Sequence, residues 1–366
     1  MEVLVSVFFA AVGIQAIFFA AFFVAFTRNR EERSPTDQPV SIVVCAHDEL
    51  PNLKELIPLL LAQNYSHFEV IIVDDRSNDT TLDFLLEETK KDHRLRMVHV
   101  NRNPEHVNGK KYGITLGIRA AAHNWLLLTD ADCRPASKNW IREISKQFNS
   151  RTQFVLGFSP YFKTQGWLNS FIRFEGLITA IQYLSFALLK NPYMGVGRNL
   201  AYRKSFFLEN KGFNNFLHVT GGDDDLFVNQ HSNGQNTSIA IGADAVVQSI
   251  PKNTWKSFFH QKIRHLSVGK RYRFDHRILL GLFTLSWLVT WFVGLPLMID
   301  VDDYSWILGA LIFRSVLLII VLQTVNKRLG SSFESWKVPA LDFLYSIYYI
   351  STGLVTLLTR KIRWRK

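Results

Sequence analysis

Only two cysteines occur in 366 residues, Cys45 and Cys133, so no disulfide framework holds the chain and a reducing compartment suits it. Acid is scarce too: 31 Asp and Glu stand against 42 Lys and Arg, for a net charge of +11. The excess base does not read as a nucleic-acid face, because it gathers beside apolar segments: TRNRE at 27–31, GKRYRFDHR at 269–277 and RKIRWRK at 360–366. That placement matches anionic lipid and the positive-inside rule. No internal repeat and no low-complexity tract is present, which sets aside solenoids and disordered tails.

Charge is missing altogether from 3–26, an apolar run longer than the roughly 20 residues that cross a bilayer. No basic stretch precedes it, and it exceeds the ~7–15 residues of a cleaved signal, so it reads as a retained anchor. Three more apolar segments follow at 278–299, 304–325 and 338–358. The chain is thus expected to be an integral membrane protein, at the cytoplasmic membrane. Arg28, Arg30 and Arg33 place the soluble middle in the cytosol. One conflict follows. Three full spans after a cytosolic domain put the tail 360–366 outside, whereas its charge wants it inside; 338–358, with Pro339 and Asp342, is the segment expected to turn back.

The expected organisation is an anchor at 1–27, a charged linker with two prolines at 28–39, a soluble domain at 40–253, an interfacial helical region at 254–277, and membrane segments with a basic tail at 278–366. Within the domain, SIVVCA (41–46), EVIIVDD (69–75), RMVHV (96–100) and NWLLLTDAD (124–132) read as strands, with helical patterns at 52–63, 79–91 and 109–122 between them. Alternation of this kind predicts an α/β fold with a mostly parallel sheet. The stretches 161–190 and 254–275 mix aromatics with charge and read as packed or membrane-surface helices.

Ligands of such sheets bind off the carboxyl ends of the strands, and two of these strands end in aspartates. Asp130 and Asp132 can offer oxygens to one Mg²⁺ or Mn²⁺, which then neutralises a leaving diphosphate. Asp74 or Asp75 can accept hydrogen bonds from a base or ribose, while Asn78 or Asp79 caps the next helix. Lys110 is either a phosphate ligand or a solvated lysine. In GVGRNLAYRK (195–204) the glycines let backbone approach a ligand, and Arg198 and Arg203 suit anionic groups; Gly197, Arg198 and Asn199 are the candidates for the acceptor side. GGDDDLF (221–227) crowds three carboxylates, which raises a pKa toward the range of a general base. In QKIRH (261–265), Gln261 and Arg264 lie one helical turn apart and can face one ligand.

Taken in order, VDD at 73–75, DAD at 130–132, GGDDDL at 221–226 and Q-x-x-R-H at 261–265 resemble the family-2 inverting glycosyltransferases of GT-A fold, over roughly residues 40–270. The likeness is to the membrane-embedded branch that includes cellulose, chitin and hyaluronan synthases and ceramide glucosyltransferase. It implies that Asp74 and Asp75 hold the nucleotide with help from Lys110. It puts Asp130 and Asp132 at the sugar diphosphate, Asp132 on the metal. Aligning the family's E-D-x-D-L on Asp225-Leu226 makes Asp223 the catalytic base, with Asp224 the rival one residue on, Asp225 structural or capping, and Gly222 replacing a glutamate. Gln261, Arg264 and His265 fall at the donor diphosphate end; His265 stands where the family has tryptophan, a smaller platform that counts against polymer synthesis. The implied reaction moves a hexose-type sugar from a nucleotide donor, UDP-linked as the branch commonly uses, to a lipid or saccharide acceptor. Two alternatives remain: a processive polysaccharide synthase, and a transport component, for which Arg314 and Asp342 inside apolar segments are the signal.

Overall fold

The computed structural model describes residues 1–29, 33–105 and 107–358. Arg30 and the basic tail 360–366 lie outside the described residues. Helix α1 (Glu2–Arg28) comes first. Then strands and helices alternate: β1 (Val40–Ala46), α2 (Leu50–Leu61), β2 (Phe68–Asp74), α3 (Thr81–Glu88), β3 (Leu95–His99), α4 (Gly109–Ala120) and β4 (Trp125–Asp130). β5 (Cys133–Pro135), α5 (Trp140–Ser145), β6 (Phe154–Leu156), α6 (Trp167–Leu188), β7 (Leu200–Arg203), α7 (Lys204–Glu209), α8 (Asp225–His231), β8 (Thr237–Ile239) and β9 (Val247–Ser249) follow. The chain closes with α9 (Trp255–Gly269), α10 (Phe274–Asp300), α11 (Ser305–Arg328) and α12 (Val338–Leu358). Contacts divide it into two compact units: residues 31–162 with 186–251, and residues 1–30 with 163–185 and 252–365.

In the α/β unit the sheet order is β3-β2-β1-β4-β7-β6-β8, with a separate β5-β9 pair. β3, β2, β1 and β4 run parallel to one another, as the sequence pattern predicts. β7 runs antiparallel to both β4 and β6, so the sheet is mixed. The apolar runs VSIVV and VIIV are buried on both faces, which parallel strands covered by helices require. Gly117 lets α4 lie close on this sheet: a Cβ there would stand 2.7 Å from both Val43 and Val73 side chains. The chain builds outward from β1 to β3 and returns on the other side of β1 as β4. That reversal opens a crevice at the carboxyl ends of β1 and β4.

The other unit holds four helices long and apolar enough to cross a membrane, α1, α10, α11 and the α12 segment, and α6 is a fifth by the same measure, although most of it is buried. α1 runs antiparallel to α10: Phe8 meets Gly294, and Phe18, Phe19 and Phe22 surround Phe283. It runs parallel to α11, where Arg314 donates to Gln15 and Arg328 donates to the Asn29 carbonyl. The ends of α1 and α11 and the start of α10 therefore lie on one side. Arg314 and Asp342 are fully buried and pair in a fork, Nη2 to Oδ1 at 3.0 Å, with Trp287 under the guanidinium at 4.6 Å. The two charges, expected as the signal of a transport pathway, thus satisfy each other inside the helical unit. On α9 the buried side chains are Phe258, Lys262 and Val268, and Phe258 packs on Phe171 of α6.

Candidate active site

At the end of β2 the two aspartates part company. Asp74 is fully buried, with Oδ2 2.7 Å from His99 Nδ1 and Oδ1 accepting the Ser77 N–H at 3.3 Å. Expected at the nucleotide, it here secures the turn, with both oxygens meeting protein groups. Asp75 is clamped by Arg76, whose Nε and Nη2 donate to its oxygens at 2.8 and 3.3 Å. Arg76 itself is 41% exposed, so the guanidinium over Asp75 is the group facing solvent. Gly109, which opens α4, accommodates this pair, since a Cβ there would stand 3.0 Å from Asp75 Oδ2.

The two lysines that open α4 diverge because adjacent helical residues point about 100° apart. Lys110 turns to the crevice, where Nζ donates to Asp130 Oδ1 at 2.9 Å and lies 3.3 Å from Asp223 Oδ2. Burial works against its charge, but Asp130, Asp223 and Asp224 outweigh that and raise its pKa well above the usual lysine range. Lys111 turns inward, fully buried, and donates to the carbonyls of Val219, at 2.5 Å, and Gly221. Burial pushes it down to about 8, against the pull of Asp223 and Asp224. The sequence reading passed over Lys111; two consecutive lysines behind a helix cap was the available signal.

Lys111 shapes the loop that presents the aspartate triplet. Gly221 and Gly222 sit at φ +88° and +76°, where side-chain-bearing residues are strained. Glycine in place of the family's glutamate at 222 therefore follows from the backbone. Asp224 is the N-cap of α8, with Oδ1 accepting the Asp225 N–H at 2.9 Å and Oδ2 accepting the Gly197 N–H at 2.6 Å. Asp225, expected as a structural or capping residue, lies buried in the first turn. Asp223 faces the cavity that Lys110, Asp130, Cys45, Thr129 and Gly197 also line. Burial pushes both carboxyls up. At Asp223, Lys110 and Lys111 reverse this and hold the carboxyl below the usual range; at Asp224, the Asp223 charge adds to it and the carboxyl stays raised. The crowding expected to raise the base thus falls on the capping residue.

The three residues expected on the acceptor side are placed differently. Gly197 lines the cavity, and its N–H donates to Asp224. Asn199 is fully buried, its amide donating to the Phe158 and Ala245 carbonyls at 2.8 Å each and accepting the Trp140 indole N–H at 3.0 Å. Arg203 is spent likewise, on the Thr152 and Asn149 carbonyls. Arg198 lies over the Tyr161 ring at 4.5 Å. Gln261, Arg264 and His265 belong to α9 of the other unit; the first two are half-buried one turn apart and His265 is exposed. The buried cation of that stretch is Lys262, which meets Glu175 at 2.5 Å and went unmarked in the sequence.

Asp130 ends β4, and Asp132 lies in the turn after it, its carbonyl accepting the Ile250 N–H. Among the described residues no group of three or more His, Cys, Asp or Glu is arranged to hold a metal. Two half-buried carboxylates still fit Mg²⁺ or Mn²⁺, ions that complete their shells with substrate phosphate and water. The Lys110 ammonium on Asp130 marks the same place as one built for positive charge.

Residues 41–210 match the family model described as glycosyl transferase family 2. The chain is 23% identical over 290 residues to a 4,4'-diaponeurosporenoate glycosyltransferase of Staphylococcus haemolyticus, covering 78% of this chain and 75% of that one. It is 26% identical over 155 residues to an uncharacterized glycosyltransferase of Haemophilus influenzae, where the match takes in 42% of this chain and spans 44% of the relative's length. Among solved structures, the mannosyltransferase PcManGT from Pyrobaculum calidifontis, in complex with GDP-Man and Mn²⁺, shares the fold at a TM-score of 0.60 and 14% identity, over 98% of this chain and 99% of that one. The strand-end carboxylates, the sheet order and these matches agree, and the chain carries a family-2 glycosyltransferase domain of GT-A fold.

Proposed function

We propose that the protein is a membrane-bound inverting glycosyltransferase that moves a hexose-type sugar from a nucleoside-diphosphate donor to a hydroxyl of a lipid acceptor. The observation that carries this reading is Lys110, whose ammonium bridges Asp130 at 2.9 Å and Asp223 at 3.3 Å inside one cavity. It joins the strand-end carboxylate of the donor side to the carboxylate best placed as base. Asp130 and Asp132 would hold Mg²⁺ or Mn²⁺, which would supply positive charge for the departing diphosphate. Asp223 accepts the proton of the acceptor hydroxyl as its oxygen bonds to the anomeric carbon; the bond to the diphosphate breaks on the opposite face, and configuration inverts. Lys110 keeps Asp223 ionised and adds positive charge near the leaving group. A lipid acceptor is supported by the apolar helices and by the staphylococcal relative, named for a lipid-like substrate.

The test is a donor screen on the full-length protein in lipid nanodiscs with Mg²⁺ or Mn²⁺, followed by mass spectrometry of the lipid extract. One added hexose per lipid is expected. A ladder of long oligomers means a polymer synthase instead, and no binding or hydrolysis of any nucleotide sugar sinks the enzymatic reading.

The same proposal includes a topology. Ser335, just before α12, bonds Gln323 near the end of α11, and the Thr356 carbonyl near the end of α12 accepts from Lys270, which closes α9 just before α10. Both partners belong to the side where α1 and α11 end, so the unbroken helix α12 lies along that side and reaches Arg314 through the Asp342 side chain. A Leu358→Cys variant is expected to react with an impermeant maleimide from the same membrane face as an Asp37→Cys variant. Labelling from the opposite face makes α12 a full span.

A further inference from the structure

The start of α6 and the link between α11 and α12 enclose a cavity lined by Lys163, Thr164, Ser170, Arg173, Glu334 and Lys337. Three cations face a single carboxylate. Glu334 takes Lys163 at 2.5 Å and Arg173 Nη1 at 3.2 Å. Arg173 Nη2 donates to the Ser332 carbonyl at 2.5 Å, and Lys337 donates to the Ser170 hydroxyl at 2.9 Å rather than to an acid. The lining keeps an excess of two positive charges, which repel until an anion arrives.

The surroundings indicate which anion. Trp167 and Trp336 are 52% and 73% exposed and pack edge to face at 6.5 Å beside the cavity. Trp336 opens the apolar segment Ser335–Thr356, and indole rings in that position favour the membrane–water boundary. Arg28, Lys327 and Arg328 end α1 and α11 on the same side. The cationic cavity thus lies at headgroup depth on the basic face of the helices.

We propose that this cavity binds the phosphate of an anionic lipid headgroup, with Arg173 offering its fork, Lys163 and Lys337 point charges, and Ser170 and Thr164 hydroxyls. The tryptophan pair then covers the glycerol and upper acyl region. Free phosphate has the same oxygens but leaves the indoles without a partner.

The test measures binding, by native mass spectrometry of the full-length protein in detergent micelles, and does not depend on transferase activity. Dioctanoyl phosphatidic acid is expected to bind at least about tenfold more tightly than dioctanoyl phosphatidylcholine. The Lys163→Gln/Lys337→Gln double variant is expected to lose about tenfold for the acid alone. Glu334→Gln, which removes the competing carboxylate, is expected to tighten binding, and it decides the matter if the double variant does not fold. Equal binding of the two lipids, no loss in the double variant, or no gain in Glu334→Gln overturns the site. Displacement of phosphatidic acid by inorganic phosphate at equal concentration overturns the lipid assignment.

Discussion

Asp223→Asn is expected to lower the rate of sugar transfer by about 10²–10⁴-fold, the usual worth of a general base, while the protein melts where the parent does. The amide keeps the shape of the carboxylate but cannot take the proton. Lys110 retains Asp130 as its partner at 2.9 Å, so no buried charge is orphaned. The pH profile tests the same assignment from another direction. Lys110 and Lys111 outweigh burial and hold the Asp223 carboxyl below the usual range. The base form therefore persists through neutral pH, and activity is expected to fall only as pH drops through that lowered value. Lys110→Met removes the nearest positive charge, so its acid limb should move to higher pH. The alternative base, Asp224, predicts an acid limb at higher pH for the parent, because burial and the Asp223 charge raise its carboxyl. An Asp223→Asn enzyme with near-full kcat returns the role to Asp224.

Asn199→Ala is expected to cost stability rather than chemistry. Its side chain closes three hydrogen bonds in a fully buried place, to Phe158, Ala245 and Trp140. Alanine leaves the Ala245 carbonyl and the Trp140 indole N–H unpaired at roughly 1–3 kcal/mol apiece before any relaxation, and takes one of two donors from the Phe158 carbonyl, which keeps the Val247 N–H. A loss of about 3–5 kcal/mol follows, equivalent to about 10 °C in melting temperature for a unit of this size. Gly157 shows how closely the site is packed, since a Cβ there would fall 2.4 Å from the Asn199 amide. Thermal melting of the full-length protein in detergent, followed by tryptophan fluorescence, checks this. A melt within two or so degrees of the parent, together with a raised KM for acceptor, restores Asn199 to the acceptor side.

Part of this molecule could be read without coordinates, and the reason is local. Strand runs such as SIVVC and EVIIV carry their burial in their own residues, and the expected strands lie within two residues of those observed. Charge-free segments announce helices long and apolar enough to cross a membrane, and the strand-end position of Asp130 follows from the pattern around it. What the residues could not declare was direction. VDD does not say which carboxylate points inward, and only the His99 contact assigns Asp74 to the interior. KK does not say that Lys110 meets Asp130 and Asp223 while Lys111 holds the loop carbonyls of Val219 and Gly221. DDD does not say that Asp224 caps α8, because its second oxygen is claimed by Gly197, 27 residues upstream. Composition and periodicity determined the fold class, the long apolar helices and the chemistry available at the strand ends. Tertiary structure alone decided which carboxylate is charged, which is capped and which is buried, because a side chain's pKa and its free oxygens depend on groups that meet only when distant segments pack.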